Sequence, residues 1–219
     1  MLHKKRLIAK LNSYKDFVLI AVLLIFYSVG TFGILNIEQR DYFLGLTPLN
    51  LLLSFVILVI ASTQKDQKFL FFLLLCFATG LIVEWIGVNT GWLFGNYYYG
   101  NNLGYKLGGV PILIGINWAL LVVCSSSLIF KLPLSNFYKA ITAAILMTGL
   151  DFLMEPVAIK SDFWFWIGKD IPLFNYICWF LISFVLQMIN FYYKIANSNK
   201  VHNALFIILV LFFATLNFL

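Results

Sequence analysis

Three carboxylic acids lie where ionisable residues are rare. Glu84, Asp151 and Glu155 fall inside long apolar segments, whereas the other acidic residues fall in connections or near segment ends. A carboxylate at the centre of a bilayer costs about 2.5–3.5 kcal/mol on insertion scales, so an acid placed there is a functional-site candidate by default. Asp151 and Glu155 are four residues apart and share one face of a helix. Buried carboxylic acids that keep their proton can act as general acids. The simpler alternative is that all three reach the membrane interface from helix ends.

Two connections close to these acids are rich in aromatic residues. The first connection, residues 87–109, overlaps the run GNYYYGNNLGYKLGGVP at residues 95–111. Residues 151–180 contain WFW and a further tryptophan. Aromatic rings are common at membrane interfaces, which is the ordinary explanation for such clusters. Ring faces also stabilise positive charge, so aromatic residues next to buried acids suit a reaction through a cation.

The elements that must position these residues are membrane helices. The chain has 219 residues, of which 62% are hydrophobic and 11% charged, with a mean hydropathy of +0.93. Soluble domains are about 45–50% apolar and about 25% charged, so this composition excludes a soluble, disordered or nucleic-acid-binding protein. Seven segments approach the roughly 20 residues that a membrane helix needs. We therefore expect an all-α integral membrane protein, a bundle of about seven transmembrane helices forming a single domain over residues 1–219. The predicted spans are 17–35, 42–61, 69–88, 110–130, 137–157, 173–193 and the short 204–219.

The distribution of Lys and Arg predicts the orientation of the bundle. The N-terminal segment and the second, fourth and sixth connections hold 11 of these residues, and the other side holds four. By the positive-inside rule the N-terminus is cytoplasmic and the C-terminus lies outside. The first segment has no cleavage-site pattern, so we expect it to be retained as a helix. Glu84 falls late in the third span and the other two acids late in the fifth, so all three approach the outer face.

Motifs for other chemistries are missing from the sequence. The two histidines, His3 and His202, lie near the N-terminus and in a cytoplasmic connection, and no phosphate-binding loop or serine-hydrolase motif occurs. The last apolar segment has no lysine for a retinal Schiff base, and a second aspartate-rich motif for a prenyltransferase is lacking. We therefore expect neither a metal nor a cofactor.

Four parts of the sequence carry a resemblance to a known family. These are EWIGVNTGWLFGNYYYGNNLGYKLGGVP followed by Trp118, then LDFLMEPVA, then WFW, and finally IPLFNYICWF. Together they resemble the bacterial and archaeal carotenoid biosynthesis membrane family, whose members include carotenoid 1,2-hydratases. The match covers residues 84–180. Glu155 and Cys178 stand where the family has an aspartate and a glycine, which leaves the acids in place and the choice of substrate open.

The resemblance implies a cofactor-independent hydro-lyase that adds water to the terminal 1,2 double bond of an acyclic (ψ) carotenoid end group. Its partners would be a membrane-embedded carotenoid (lycopene, γ-carotene or a C50 precursor), water and the lipid bilayer of a bacterial or archaeal cytoplasmic membrane. Asp151 or Glu155 would donate the proton, and Glu84 would position the water. The implied substrate-binding residues are Trp85, Asn96, Tyr97, Tyr99, Trp118, Trp164, Trp166, Asn175 and Trp179.

Two other functions fit the same residues. A lycopene cyclase would use the same protonation but quench the cation with an internal alkene. A membrane protein without enzymatic activity could carry a carotenoid or conduct protons through the three acids.

Overall fold

The computed structural model describes residues 2–168 and 170–218, with side chains from residue 11 onward except at position 169. The prediction of the orientation counted Lys169 and the basic residues within 1–10, and the last predicted span ends at Leu219. The side chains of all these residues lie outside the described part of the chain.

Within the described residues the chain forms eight α-helices and four short strands. The helices are α1 (Leu2–Leu35), α2 (Arg40–Gly45), α3 (Thr47–Ala61), α4 (Gln67–Thr90), α5 (Leu113–Ile129), α6 (Asn136–Lys160), α7 (Leu173–Tyr193) and α8 (Lys200–Leu216). The strands are β1 (Tyr97–Tyr99), β2 (Lys106–Leu107), β3 (Val110–Pro111) and β4 (Trp164–Trp166).

The expected all-α membrane architecture is confirmed. Four helices are long and apolar enough to cross a bilayer, namely α1 over Leu11–Leu35, α4, α6 and α7. The other three predicted spans coincide with the shorter apolar helices α3, α5 and α8, of 15 to 17 residues. The number of crossings therefore stays a prediction, as does the single domain.

The second and fourth predicted segments are not continuous helices. The second is interrupted at Leu46, which lies between α2 and α3. Pro48 stands in the first turn of α3, where a proline is tolerated because the missing N–H would have no intrahelical partner. The fourth begins in strand β3 and becomes helical only at Leu113.

A two-stranded antiparallel sheet joins the two aromatic connections across one end of the bundle. Strand β1 pairs with β4 so that Tyr97 lies opposite Trp166 and Tyr99 opposite Trp164. Just beyond β1, the backbone N–H of Gly100 donates to the carbonyl of Phe163 at 2.9 Å. The sheet thus fixes two loops that are more than 60 residues apart in sequence.

Close packing of α4 against α5 sets the position of one site tryptophan. A Cβ atom added at Gly80 would lie 2.6 Å from Cγ of Trp118, and one at Gly115 would lie 2.8 Å from the carbonyl oxygen of Phe77. Small residues allow membrane helices to approach closely, so these glycines let the Trp118 indole pack directly on α4.

Candidate active site

Four helices and the β1–β4 sheet surround a small cavity that contains the three acids. Its volume is about 20 Å³. One water molecule needs about 10–15 Å³ by this measure, so the cavity has room for about one water. Glu84, Asp151 and Glu155 lie about 8 to 14 Å from the C-terminal ends of their helices, at 1.5 Å per residue. The lining residues are Glu84, Phe94, Tyr97, Tyr99, Ile114, Asn117, Trp118, Asp151, Glu155, Trp164, Trp166, Asn175 and Trp179.

Glu84 on α4 accepts hydrogen bonds at both carboxylate oxygens. The hydroxyls of Tyr97 and Tyr99 donate to Oε2 at 2.5 and 2.7 Å, and the Trp118 indole N–H donates to Oε1 at 3.2 Å. Successive side chains of a strand point to opposite faces, so Tyr97 and Tyr99 both turn toward Glu84 while Tyr98 faces outward. The Glu84 carboxylate is 4% exposed, and three donors replace the water that it has lost.

Glu155 on α6 is held by three donors in the same way. The indole N–H groups of Trp164 and Trp166 donate to Oε2 at 2.9 and 2.8 Å. The side-chain amide of Asn175 donates to Oε1 at 3.1 Å. Trp164 and Trp166 are two residues apart in strand β4, so both side chains point to Glu155. Tyr97 and Tyr99 point to Glu84 from strand β1 in the same way.

Asp151 differs from the other two acids. Its side chain is fully buried, and Oδ2 accepts a hydrogen bond of 3.0 Å from the same Asn175 amide that binds Glu155. The other oxygen, Oδ1, is buried and has no hydrogen-bond partner among the described residues. Asp151 is thus the member of the three with an oxygen that accepts no hydrogen bond from the described residues.

Aromatic rings form most of the remaining wall. Trp118 and Trp179 stack with ring centroids 4.3 Å apart, and Tyr97 lies 5.2 Å from Trp166. Burial, and secondly the charge of Glu84, raises the pKa of Tyr97 and of Tyr99 well above the ordinary value. Both phenols therefore stay protonated and remain donors to the carboxylate.

Two of the predicted substrate-binding residues lie outside the cavity. Trp85 follows Glu84 on α4 and is therefore rotated about 100° from it around the helix axis. Its side chain is 50% exposed and packs over Gly108. Asn96 is exposed, and its backbone carbonyl accepts a hydrogen bond from the N–H of Ile167. The other seven predicted substrate-binding residues and the three acids line the cavity.

Asn117 lines the cavity and was not predicted from the sequence. It lies on α5, one position before the buried Trp118. Its side-chain amide has no hydrogen-bond partner among the described residues. The available signal was a single polar residue within an apolar span. Such a residue is free to bind a water or a hydroxyl group.

The donor set does not resemble a metal centre. Among the side chains that the structure describes, no group of three or more His, Cys, Asp or Glu residues is arranged to hold a metal ion. The oxygens of Glu84 and Glu155 instead accept hydrogen bonds from phenol, indole and amide groups.

An apolar helical bundle with three acids buried at one end defines a multi-pass membrane protein with a buried polar site. The chain belongs to the carotenoid biosynthesis protein family, whose sequence model matches residues 45–219 and so includes every residue of the cavity. It is also 30% identical over 116 residues to the bisanhydrobacterioruberin hydratase of Haloarcula japonica. That alignment covers 49% of this chain and 39% of the relative, so the chain spans well under half of the relative's length. No solved structure matches the chain. The protein is therefore a membrane protein of carotenoid biosynthesis.

Proposed function

We propose that this protein is a carotenoid hydratase that adds water across the terminal 1,2 double bond of an acyclic end group, without a cofactor. The observation that carries the proposal is the set of three buried carboxyl groups around a cavity of about 20 Å³ with aromatic walls. Membership of the carotenoid biosynthesis family supplies the substrate class. The similarity to a hydratase supports the reaction type.

The hydrogen bonds favour Asp151 over Glu155 as the proton donor. Glu84 and Glu155 each accept three hydrogen bonds, a pattern that stabilises the ionised form. Asp151 has one donor, and Oδ1 has none. A charged buried oxygen without a donor would be costly, whereas a protonated Oδ1 is neutral and can donate.

The reaction balances with these groups alone. The O–H bond of Asp151 breaks as its proton bonds to carbon 2 of the alkene, and the electron pair of the double bond forms the new C–H bond. Carbon 1 becomes a tertiary cation, and a water oxygen bonds to it. The water then returns one proton to the Asp151 carboxylate, so that the net change is the addition of one water.

The surroundings suit the cationic intermediate. The carboxylates of Glu84 and Glu155 provide negative charge that is already fixed by donors, so little reorganisation is needed when the cation forms. The faces of Trp164, Trp166 and the neighbouring rings add cation–π stabilisation. Glu84 and the free amide of Asn117 are the groups that we assign to hold the attacking water.

Pigment analysis separates this proposal from its alternatives. The protein is expressed in a lycopene-producing bacterial host, the pigments are extracted, and their molecular masses are measured by mass spectrometry. A product heavier by one water is the result expected for a hydratase. An isomeric product would instead identify a cyclase, and unchanged lycopene that purifies with the protein would identify a carrier.

The same proposal includes the location of the protein. The charge distribution supports a multi-pass arrangement in the cytoplasmic membrane of a bacterium or archaeon, with the N-terminus in the cytoplasm. The acids would then open toward the outer leaflet.

A further inference from the structure

A second and much larger cavity lies beside the acids at the same end of the bundle. It has a volume of about 460 Å³ and is bounded by α1, the α2–α3 segment, α8 and the ends of α5 and α6. Its wall is almost entirely apolar, with side chains such as Leu51, Phe163, Leu209 and Phe212. The first cavity, at about 20 Å³, has room for a water but not for a hydrocarbon chain. A substrate must therefore place its chain elsewhere.

The two cavities share part of their walls. Ile114, Asn117 and Trp164 line both. Trp164 also donates its indole N–H to Glu155, which ties the shared wall to the acids. A chain lying in the large cavity would thus end next to the proton donor.

The large cavity has the shape and size of a site for an apolar ligand. Its wall on α1 extends from Phe26 to Ile34, which is about 12 Å along the helix at 1.5 Å per residue. Ligand pockets are typically about 300–1,000 Å³ and mostly apolar. The volume and the lining of this cavity fall within that range.

The cavity opens toward the lipid side of the bundle. Phe26, Val29 and Leu49 line it and are also 51%, 52% and 63% exposed. These side chains belong to α1 and α3, which are apolar helices of the bundle. An apolar molecule dissolved in the bilayer could enter here without passing through water.

Polar groups without partners occur on the wall of this cavity. The Ser161 hydroxyl and the side-chain Oδ1 of Asn50 are buried and have no hydrogen-bond partner among the described residues. The half-buried side-chain amide of Asn117 has none either. Asn117 belongs to the shared wall, and Ser161 caps the C-terminal end of α6, the helix that carries the acids. Buried polar groups normally have partners, so these atoms suit contact with water or with a newly formed hydroxyl.

We infer that the apolar cavity between α1, α3 and α8 binds the isoprenoid chain of the carotenoid, with the reacting end group at the wall formed by Asn117 and Trp164. This inference rests on the proposed function, because it names the place where that substrate lies. The chain enters from the lipid, the end group reaches Asp151, and the rest of the molecule extends through the opening beside Leu49.

The test measures lycopene binding separately from turnover. The protein carrying Asp151→Asn, which keeps the cavity but lacks the proton donor, is purified in detergent and titrated with lycopene, and the pigment retained per protein is read from its absorbance. Gly30→Leu is then added, because Gly30 lines the large cavity and a Cβ there meets only Phe212, at 4.0 Å. The matched control is Gly149→Leu on α6, where a Cβ has no neighbour within 4 Å and the residue lines neither cavity.

We expect Gly30→Leu to weaken lycopene binding about tenfold or more, since overpacking an occupied cavity is costly, and Gly149→Leu to leave binding unchanged. Equal binding by the two variants would overturn the inference. A second pair of variants changes exposed positions, so that neither variant has to fold around a new core side chain. Leu49→Trp at the opening of the cavity should reduce lycopene binding. Ile60→Trp, exposed on α3 outside the cavity, should not reduce it.

Turnover by the parent protein, which keeps both Asp151 and Gly30, distinguishes the two proposals. Lycopene binding that is lost in Gly30→Leu, together with no hydrated product from the parent protein, would support the binding site and contradict the hydratase. Hydrated product formed with unchanged binding in Gly30→Leu would support the hydratase and contradict the binding site.

Discussion

Replacement of Asp151 by asparagine tests the assignment of the proton donor. The amide has nearly the same shape as the carboxylic acid, and its oxygen can still accept the 3.0 Å hydrogen bond from Asn175. One hydrogen bond contributes only about 0.5–1.5 kcal/mol, and here it is retained, so we expect a small change in the free energy of unfolding. An amide cannot act as a general acid, however, and general acid catalysis contributes about 10²–10⁴-fold. The expected loss corresponds to about 2.7–5.5 kcal/mol in the activation free energy.

The assay is the initial rate of hydrated product in membranes that contain equal amounts of protein. The control is Asp66→Asn, because Asp66 caps α4 by accepting a hydrogen bond of 2.9 Å from the N–H of Phe69. Asparagine caps helices as well as aspartate does, so this variant should keep its rate. A loss of less than tenfold for Asp151→Asn, with a larger loss for Glu155→Gln, would refute the assignment and make Glu155 the donor.

Three further predictions concern the surrounding structure. The raised pKa of Tyr97 and of Tyr99 means that folding favours the protonated phenols. The stabilisation from their hydrogen bonds is therefore complete below the pKa of about 10 that a tyrosine has in the unfolded chain. It is lost as the pH rises through the pKa of each phenol in the folded protein. The melting temperature in detergent should therefore not fall between pH 8 and 9.5 in the parent protein relative to a Tyr97→Phe variant. Gly80→Ala should lower the free energy of unfolding by about 1–3 kcal/mol, because the added methyl collides with Trp118. Gly149→Ala, where the methyl meets no neighbour, should not lower it. Denaturant titration measures the free energy of unfolding of both variants. A reporter fused to the C-terminus should be active only outside the cytoplasm, and cytoplasmic activity would contradict the predicted orientation.

The convergence of the acids could be predicted from the sequence because few physical facts determine it. Acids are costly in lipid, a spacing of four places Asp151 and Glu155 on one helix face, and alternating helix directions bring Glu84 to the same end. The structure brings these three side chains to one cavity. Their catalytic roles remain predictions.

The pairing of β1 with β4 could not be predicted from the sequence. Each strand has three residues, which is too short for an alternating pattern to stand out, and their partners are more than 60 residues apart. This pairing determines that Tyr97 and Tyr99 donate to Glu84 while Trp164 and Trp166 donate to Glu155.

The placement of single residues also depended on geometry that the sequence does not state. Trp85 is adjacent to Glu84 in sequence but lies on another side of the helix, and it is half exposed. Asn117 has no motif around it, and its importance follows from its position on the wall between two cavities. A cavity is an absence of atoms between packed helices, so residue types alone do not reveal it.

In hydration by acid protonation, the new hydroxyl oxygen and the new hydrogen on carbon 2 both come from water, and isotope labelling measures both. Membranes containing the protein are incubated with lycopene in oxygen-18 water made with heavy water, under ordinary oxygen gas, and the product is analysed by mass spectrometry and NMR. We expect a product with oxygen-18 on carbon 1 and one deuterium on carbon 2, in equal amounts. A product hydroxyl that carries ordinary oxygen, or a carbon 2 without deuterium, would contradict hydration by acid protonation.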